Sequence, residues 1–136
     1  MKMIFSLFIA LVLLQACPNR IGQEFIYITN NSDKIIVFQA LPNYQGETFY
    51  CSDTGNTILI PIKSNSTFEL YGGRYSSWDT ALKSLKVFIL DGELYKEYLL
   101  QPCDTTRKYV PVLHIYQLTL EDLQRMNWTI VYPPEE

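Results

Sequence analysis

Short runs of β-branched and aromatic residues, each bounded by turn formers, recur along the chain and leave little room for long helices. "EFIYITN" (24–30) and "KIIVFQAL" (34–41) flank the turn residues of "NNSD", a pattern that predicts a hairpin. Residues 42–56 carry Pro42, Asn43, Gly46, Asp53, Gly55 and Asn56 and read as a long loop with a short strand at 48–51. "TILIPI" (57–62) follows. Its Pro61 has no N–H to give a ladder, which moves this strand to an edge or a bulge. "TFELY" (67–71) is another strand. "LKVFILDGELYKEYLL" (85–100) reads as two strands joined at Asp91-Gly92, a pair suited to the positive φ values of a tight turn. "YVPVLHIYQL" (109–118) and "WTIVY" (128–132) complete the set. The spacing predicts a mainly β fold without βαβ units. The expected form is an antiparallel β-sandwich, immunoglobulin-like or similar, of about seven or eight strands with two short helices.

Those two helices have their own signals. In "SSWDTALKS" (76–84) Ser76 or Ser77 is the expected N-cap. In "LTLEDLQRMNW" (118–128) Thr119 should cap, with Asp122 three residues later, and Leu120, Leu123 and Met126 share one face. Asn127 can take the left-handed conformation that ends a helix. Trp128, Ile130 and Tyr132 should then alternate onto one face of the last strand.

The N-terminus is of another kind. From Met3 to Leu14 only Ser6 is polar. Crossing a bilayer takes about 20 apolar residues, so this run is too short to span. Lys2, the apolar run and the small residue Ala16 form the three parts of a secretory signal. Its end, Leu14-Gln15-Ala16-Cys17, resembles the lipobox of bacterial lipoproteins. That resemblance implies that Cys17 is lipidated and becomes the first residue after cleavage; two or three acyl chains anchor firmly at about 0.8 kcal/mol per buried methylene. The expected division is a signal peptide at 1–16, a tether at 17–23, one sandwich domain at 24–132 and a tail at 133–136.

Eleven basic and 14 acidic residues stand in the full chain. Losing Lys2 with the signal leaves 10 against 14, a net charge of −4. The charges are scattered without a basic stripe, which argues against nucleic acid as a partner. Ten Tyr and seven Phe argue for a folded β body rather than disorder. Of three Cys, the lipobox takes one. Cys51 and Cys103 remain, an even pair that an oxidising compartment would allow to join.

"YQLTLEDLQRMNWTIVYP" (116–133) resembles the C-terminal ending of small lipoproteins of Bacteroidetes bacteria, which also carry a lipobox, an early "NNS"-type hairpin and a Trp after a serine pair, here Trp78. The resemblance implies an outer-membrane lipoprotein. The residues after Cys17 lack the acidic run of surface-exported members, which favours a periplasm-facing placement over a surface-exposed one. Asp79-Thr80-Ala81 and Asp104-Thr105-Thr106 resemble the O-glycosylation motif of exported proteins of that phylum, making Thr80 and Thr105 candidate acceptors.

Motifs that carry chemistry are sparse. Asp53-Thr54-Gly55 matches the triplet of aspartic proteases, which need two aspartates sharing a proton. A single triplet would have to act in a dimer, and these residues are equally ordinary turn chemistry. His114, the one histidine, sits in "VLHIY" and reads as a packed side chain. No clustered His and Cys suggests zinc, no acidic loop suggests calcium, and no cofactor is expected. "YGGRY" (71–75) lacks the Lys and Ser or Thr of a phosphate loop and reads as a turn. The loop aromatics Tyr44, Tyr50, Tyr75 and Trp78 are candidate ligand-binding residues. The functional expectation is a lipid-anchored envelope protein acting as a non-enzymatic binding or structural module, its partner a protein or glycan. The alternatives are a dimeric aspartic hydrolase using Asp53 and a loop-mediated inhibitor or glycan-binding module.

Overall fold

The computed structural model describes residues 22–51, 59–72 and 78–136. Strand β1 (Phe25–Asn30) is the centre of a three-stranded sheet. Antiparallel β4 (Ser66–Tyr71) lies on one side of it and parallel β7 (Thr129–Tyr132) on the other. A second, four-stranded sheet has the order β3 (Ile60–Ile62), β2 (Ile36–Pro42), β5 (Ser84–Asp91), β6 (Val112–Thr119), antiparallel throughout. Four helices stand among the described residues: α1 (Trp78–Ala81), α2 (Gly92–Tyr98), α3 (Cys103–Tyr109) and α4 (Leu120–Arg125). The fold is mainly β with two sheets, as the residue pattern predicts, but it holds more helix than the pattern predicts.

Burial explains the layering. On β1 every second residue is buried, so Ile26 and Ile28 point one way and Tyr27 and Thr29 the other. Ile26, Ile28 and Ile130 of the first sheet pack with Ile36, Phe38, Leu85, Val87 and Ile89 of the second, and Trp78 and Leu123 close the ends of this core. In the second sheet β5 is buried from Leu85 through Leu90 without alternation. A strand buried on both faces needs cover on both. The cover is a second apolar cluster on the far side, where Val37, Phe88 and Leu90 meet Phe49, Leu59, Tyr95 and Val110 from the loops and helices.

Two expected hairpins give way here. The 24–41 hairpin does not form, because β1 and β2 belong to different sheets. The turn residues instead fold around Asn30, which is fully buried. Its side-chain amide donates to the carbonyls of Lys34 (2.7 Å), Lys63 (3.1 Å) and Ile62 (3.2 Å). Its oxygen accepts from the Ser32 N–H at 3.0 Å and hydroxyl at 2.6 Å. One side chain thus ties the end of one sheet to the end of the other. The second correction concerns Asp91-Gly92, which opens helix α2 rather than a hairpin. The Asp91 carboxylate accepts from the Leu94 N–H at 3.0 Å as N-cap. Gly92 donates its N–H to the Ile35 carbonyl at 3.1 Å, and a Cβ there would lie 2.7 Å from that oxygen. The glycine serves close packing, and the aspartate starts a helix.

Other expectations hold. Thr119 caps α4 in a full capping box with Asp122, whose carboxyl is held below its usual range by the Thr119 hydrogen bonds. Asn127 has φ 52°, as a helix-ending residue should, and Trp128 follows at φ 59°. Trp128, Ile130 and Tyr132 all pack on the main core. Pro61 sits on β3, an edge strand. Against expectation, residues 48–51 form no strand, and β7 runs parallel to β1 where antiparallel pairing is expected. Ser76 and Ser77, Gly73 to Tyr75, and all of 1–21 lie outside the described residues.

Candidate functional site

Loop 43–51 crosses the outer face of the four-stranded sheet, and side chains from three elements hold its backbone. Gln39 of β2 replaces the missing strand. Its Nε2 donates to the Tyr50 carbonyl at 2.8 Å, and its Oε1 accepts from the Tyr50 N–H at 2.7 Å. Lys86 of β5, buried beneath the loop, donates from Nζ to the Gly46 carbonyl at 2.7 Å. Arg107 of α3 donates from Nε and Nη2 to the Phe49 carbonyl at 3.3 and 2.9 Å. Phe49 itself is buried in the second cluster. At the end of the loop Cys51 forms a disulfide with Cys103 at the start of α3, with Cα atoms 5.8 Å apart.

Held this way, the loop presents Tyr50. Its side chain is 53 % exposed, although its own main chain is bonded on both sides and its neighbours are a buried ring and a disulfide. The other aromatic candidates fall elsewhere. Tyr44 is half-buried, its hydroxyl donating to the Thr48 carbonyl at 3.0 Å and its ring edge-on to Phe88. Trp78 belongs to the main core, with its indole N–H donated to the Leu70 carbonyl at 3.4 Å. Burial makes it a building residue, which its place after two serines does not reveal. Tyr75 lies outside the described residues, as do Asp53 and Cys17. Thr80 is exposed on α1, and Thr105 is half-buried on α3. Of the three candidates among the described residues, Tyr50 alone is exposed.

Residues that reading by type passes over do much of the positioning. Gln39, Lys86 and Arg107 lie in runs that look like ordinary strand and helix faces. The signal that could have found two of them is a polar side chain inside a continuous apolar run: Gln39 in "IIVFQAL" and Lys86 in "LKVFIL". Neither can be buried without a partner, and loop 43–51 supplies partners. Every buried side-chain nitrogen and oxygen among the described residues is hydrogen-bonded.

A concave feature lies apart from the loop, with none of residues 43–51 in its lining. It is a shallow pocket of about 390 Å³ between β6 and β7, lined by Tyr116, Met126, Thr129, Val131, Pro134 and Glu135. Tyr116 spans the two sheets there, donating its hydroxyl to the Val131 carbonyl at 2.5 Å. Its pKa is pushed up to about 12, first by burial and then by nearby Tyr132. His114 stands edge-on to the Tyr116 ring, centroids 4.5 Å apart. Among the described residues no group of three or more His, Cys, Asp and Glu is placed to hold a metal ion. Nor is any helix among them long and apolar enough to cross a membrane. Comparison of the chain with protein-family models, curated proteins and solved structures finds no match.

Proposed function

We propose that the chain is a lipid-tethered protein of the bacterial outer membrane, facing the periplasm, whose folded domain is a non-enzymatic binding module displaying Tyr50 to a protein or glycan partner. In this reading the two sheets form a sandwich, immunoglobulin-like in its layering but not in its strand order, since the first two strands lie in different sheets. The observation that carries the binding role is the contrast at Tyr50: an exposed aromatic on a backbone fixed by Gln39, Arg107 and a disulfide. A large amphipathic ring that loses little freedom on contact is what binding hot spots use. The Cys51–Cys103 bond supports an oxidising compartment. The lipobox supports Cys17 as the tether. Gln23 is tied down where the tether would end, since its carbonyl accepts from the Trp78 N–H at 2.8 Å.

Two measurements test the reading separately. A photo-crosslinking phenylalanine analogue at position 50, in the cell that makes the protein, should give a discrete adduct. The same analogue at exposed Tyr71 on β4 should give none. Equal or absent adducts at both positions would remove Tyr50 as the binding residue. For the anchor, Cys17→Ser should leave the protein unprocessed or soluble; a variant that still sediments with outer membranes removes the lipid tether.

A further inference from the structure

The two apolar clusters draw on different parts of the chain. The main core, between the sheets, takes no residue from loop 43–51, α2 or α3. The second cluster is roofed by those parts: Phe49 of the loop, Tyr95 of α2 and Val110 at the end of α3 close over Val37, Phe88 and Leu90. This roof has little to hold itself together. Loop 43–51 contains no helix or strand. Helix α3 has seven residues and no side-chain cap, and a helix that short does not stand alone. Their covalent link is Cys51–Cys103, which joins points 52 residues apart in the chain. Beneath the roof lie Gln39 and Lys86, bonded to the loop's backbone. Lifting the roof hands both side chains to water, so neither is stranded without a partner. The bond is also within reach from outside. Both cysteines are half-buried, while Tyr50 beside one and Pro102 and Asp104 beside the other are exposed.

We infer that Cys51–Cys103 is a redox latch on this roof: a dithiol reductant opens it and frees loop 43–51 and α3, while both sheets stay folded. A thiolate of the reductant attacks one sulfur of the bond, forming a mixed disulfide and releasing the other cysteine as a thiolate. The reductant's second thiolate then displaces the cysteine still held. Two electrons and two protons pass to the protein, and the reductant leaves as its own disulfide. With the latch open, α3 frays from its first residue and Arg107 leaves the Phe49 carbonyl that it holds in the closed form. Phe49 and the outer face of β2 and β5 are then uncovered, and Tyr50 moves with its backbone. The loss of binding that follows rests on the role proposed for Tyr50; the opening itself does not.

Hydrogen exchange on the protein purified from its producing cell, oxidised and after dithiothreitol, reads the latch directly, with free thiols counted in each sample. The reporters are amides bonded within the roof: Tyr50 to the Gln39 side chain, Thr106 to the Pro102 carbonyl and Val110 to the Thr106 carbonyl. Reduction should speed their exchange about tenfold or more. The Tyr27 amide, bonded to the Trp128 carbonyl in the other sheet, should keep its rate. The double variant Cys51→Ser, Cys103→Ser should behave as the reduced chain does, without reductant. Unchanged rates at Tyr50, Thr106 and Val110 with both thiols free overturn the inference. So does an equal loss of protection at Tyr27, which would make the bond a staple of the whole fold, and so does a bond that dithiothreitol leaves intact under native conditions. The photo-crosslink at position 50 reports separately: a roof that opens, with no adduct in either redox state, removes Tyr50 as the binding residue and leaves the latch standing.

Discussion

At Asn30 one carboxamide serves five hydrogen bonds with no access to water. The acceptors it satisfies are main-chain carbonyls, so the position needs a donor and not merely a polar group. Asn30→Ala should cost about 2–3 kcal/mol for the groups left unpaired. Asn30→Asp should cost more, because a carboxylate turned toward three carbonyls adds repulsion and buried charge. Chemical denaturation of both variants orders them; an aspartate variant as stable as the alanine one would mean that the three facing carbonyls add no penalty to a carboxylate there. Gly92 makes a parallel case through space. Its missing Cβ lets α2 start against the Ile35 carbonyl, so Gly92→Ala should destabilise by about 1–3 kcal/mol, where an alanine in an open helix position would stabilise. Thermal unfolding that shows a gain in stability for Gly92→Ala would overturn this account.

Element by element, legibility follows how local the deciding interaction is. The capping box of α4 lies within four residues, Thr119 to Asp122, and can be read directly. The same holds for the left-handed turn at Asn127 and for Pro61 on an edge. Asp91-Gly92 fails because one dipeptide serves two purposes. Asp accepts as readily from a helix N–H as it enters a turn, and only the distant Ile35 carbonyl decides between them. Helix α2 then reads as strand because Leu94, Tyr95 and Tyr98 suit either element, and Tyr95 is what roofs the second cluster. Helix α3 has no side-chain cap and no long apolar stripe; the disulfide at its first residue and Thr106 beneath it hold it in place. For the site, sequence could mark Tyr50 as an aromatic in a loop. It could not show that Gln39 would act as the strand beside it.

Across the whole molecule, two sheets and a roof leave one side stitched by a phenol. Tyr116 donates to an edge carbonyl of β7 from the neighbouring sheet, and burial holds its proton well past the ordinary tyrosine range. Its neutral form is the one the fold favours. The stability it contributes is therefore complete below pH 10 and is lost as pH rises towards about 12, where the folded phenol ionises. Wild type should thus lose more stability over that interval than Tyr116→Phe, although the variant starts lower at neutral pH by about 1 kcal/mol for the lost hydrogen bond. Urea midpoints for both proteins at three alkaline pH values check the slope, and parallel lines would exclude Tyr116 as its source.

The pairing of β1 with β7 has a consequence in time. Tyr27 lies beside Thr129, so the first strand finds its second neighbour only in the last one. During synthesis β1 can meet β4 early, but its other edge stays unoccupied until nearly the entire polypeptide has been made. Contacts so far apart along a chain close slowly, because the intervening segment must be ordered first. A nascent chain threading a narrow translocation pore from its N-terminus would emerge with that sheet unfinished. Closure belongs to the moment after residue 129 has been made, and a chain cut short before it is left without a neighbour for β1 on that side, however correct the rest of it is.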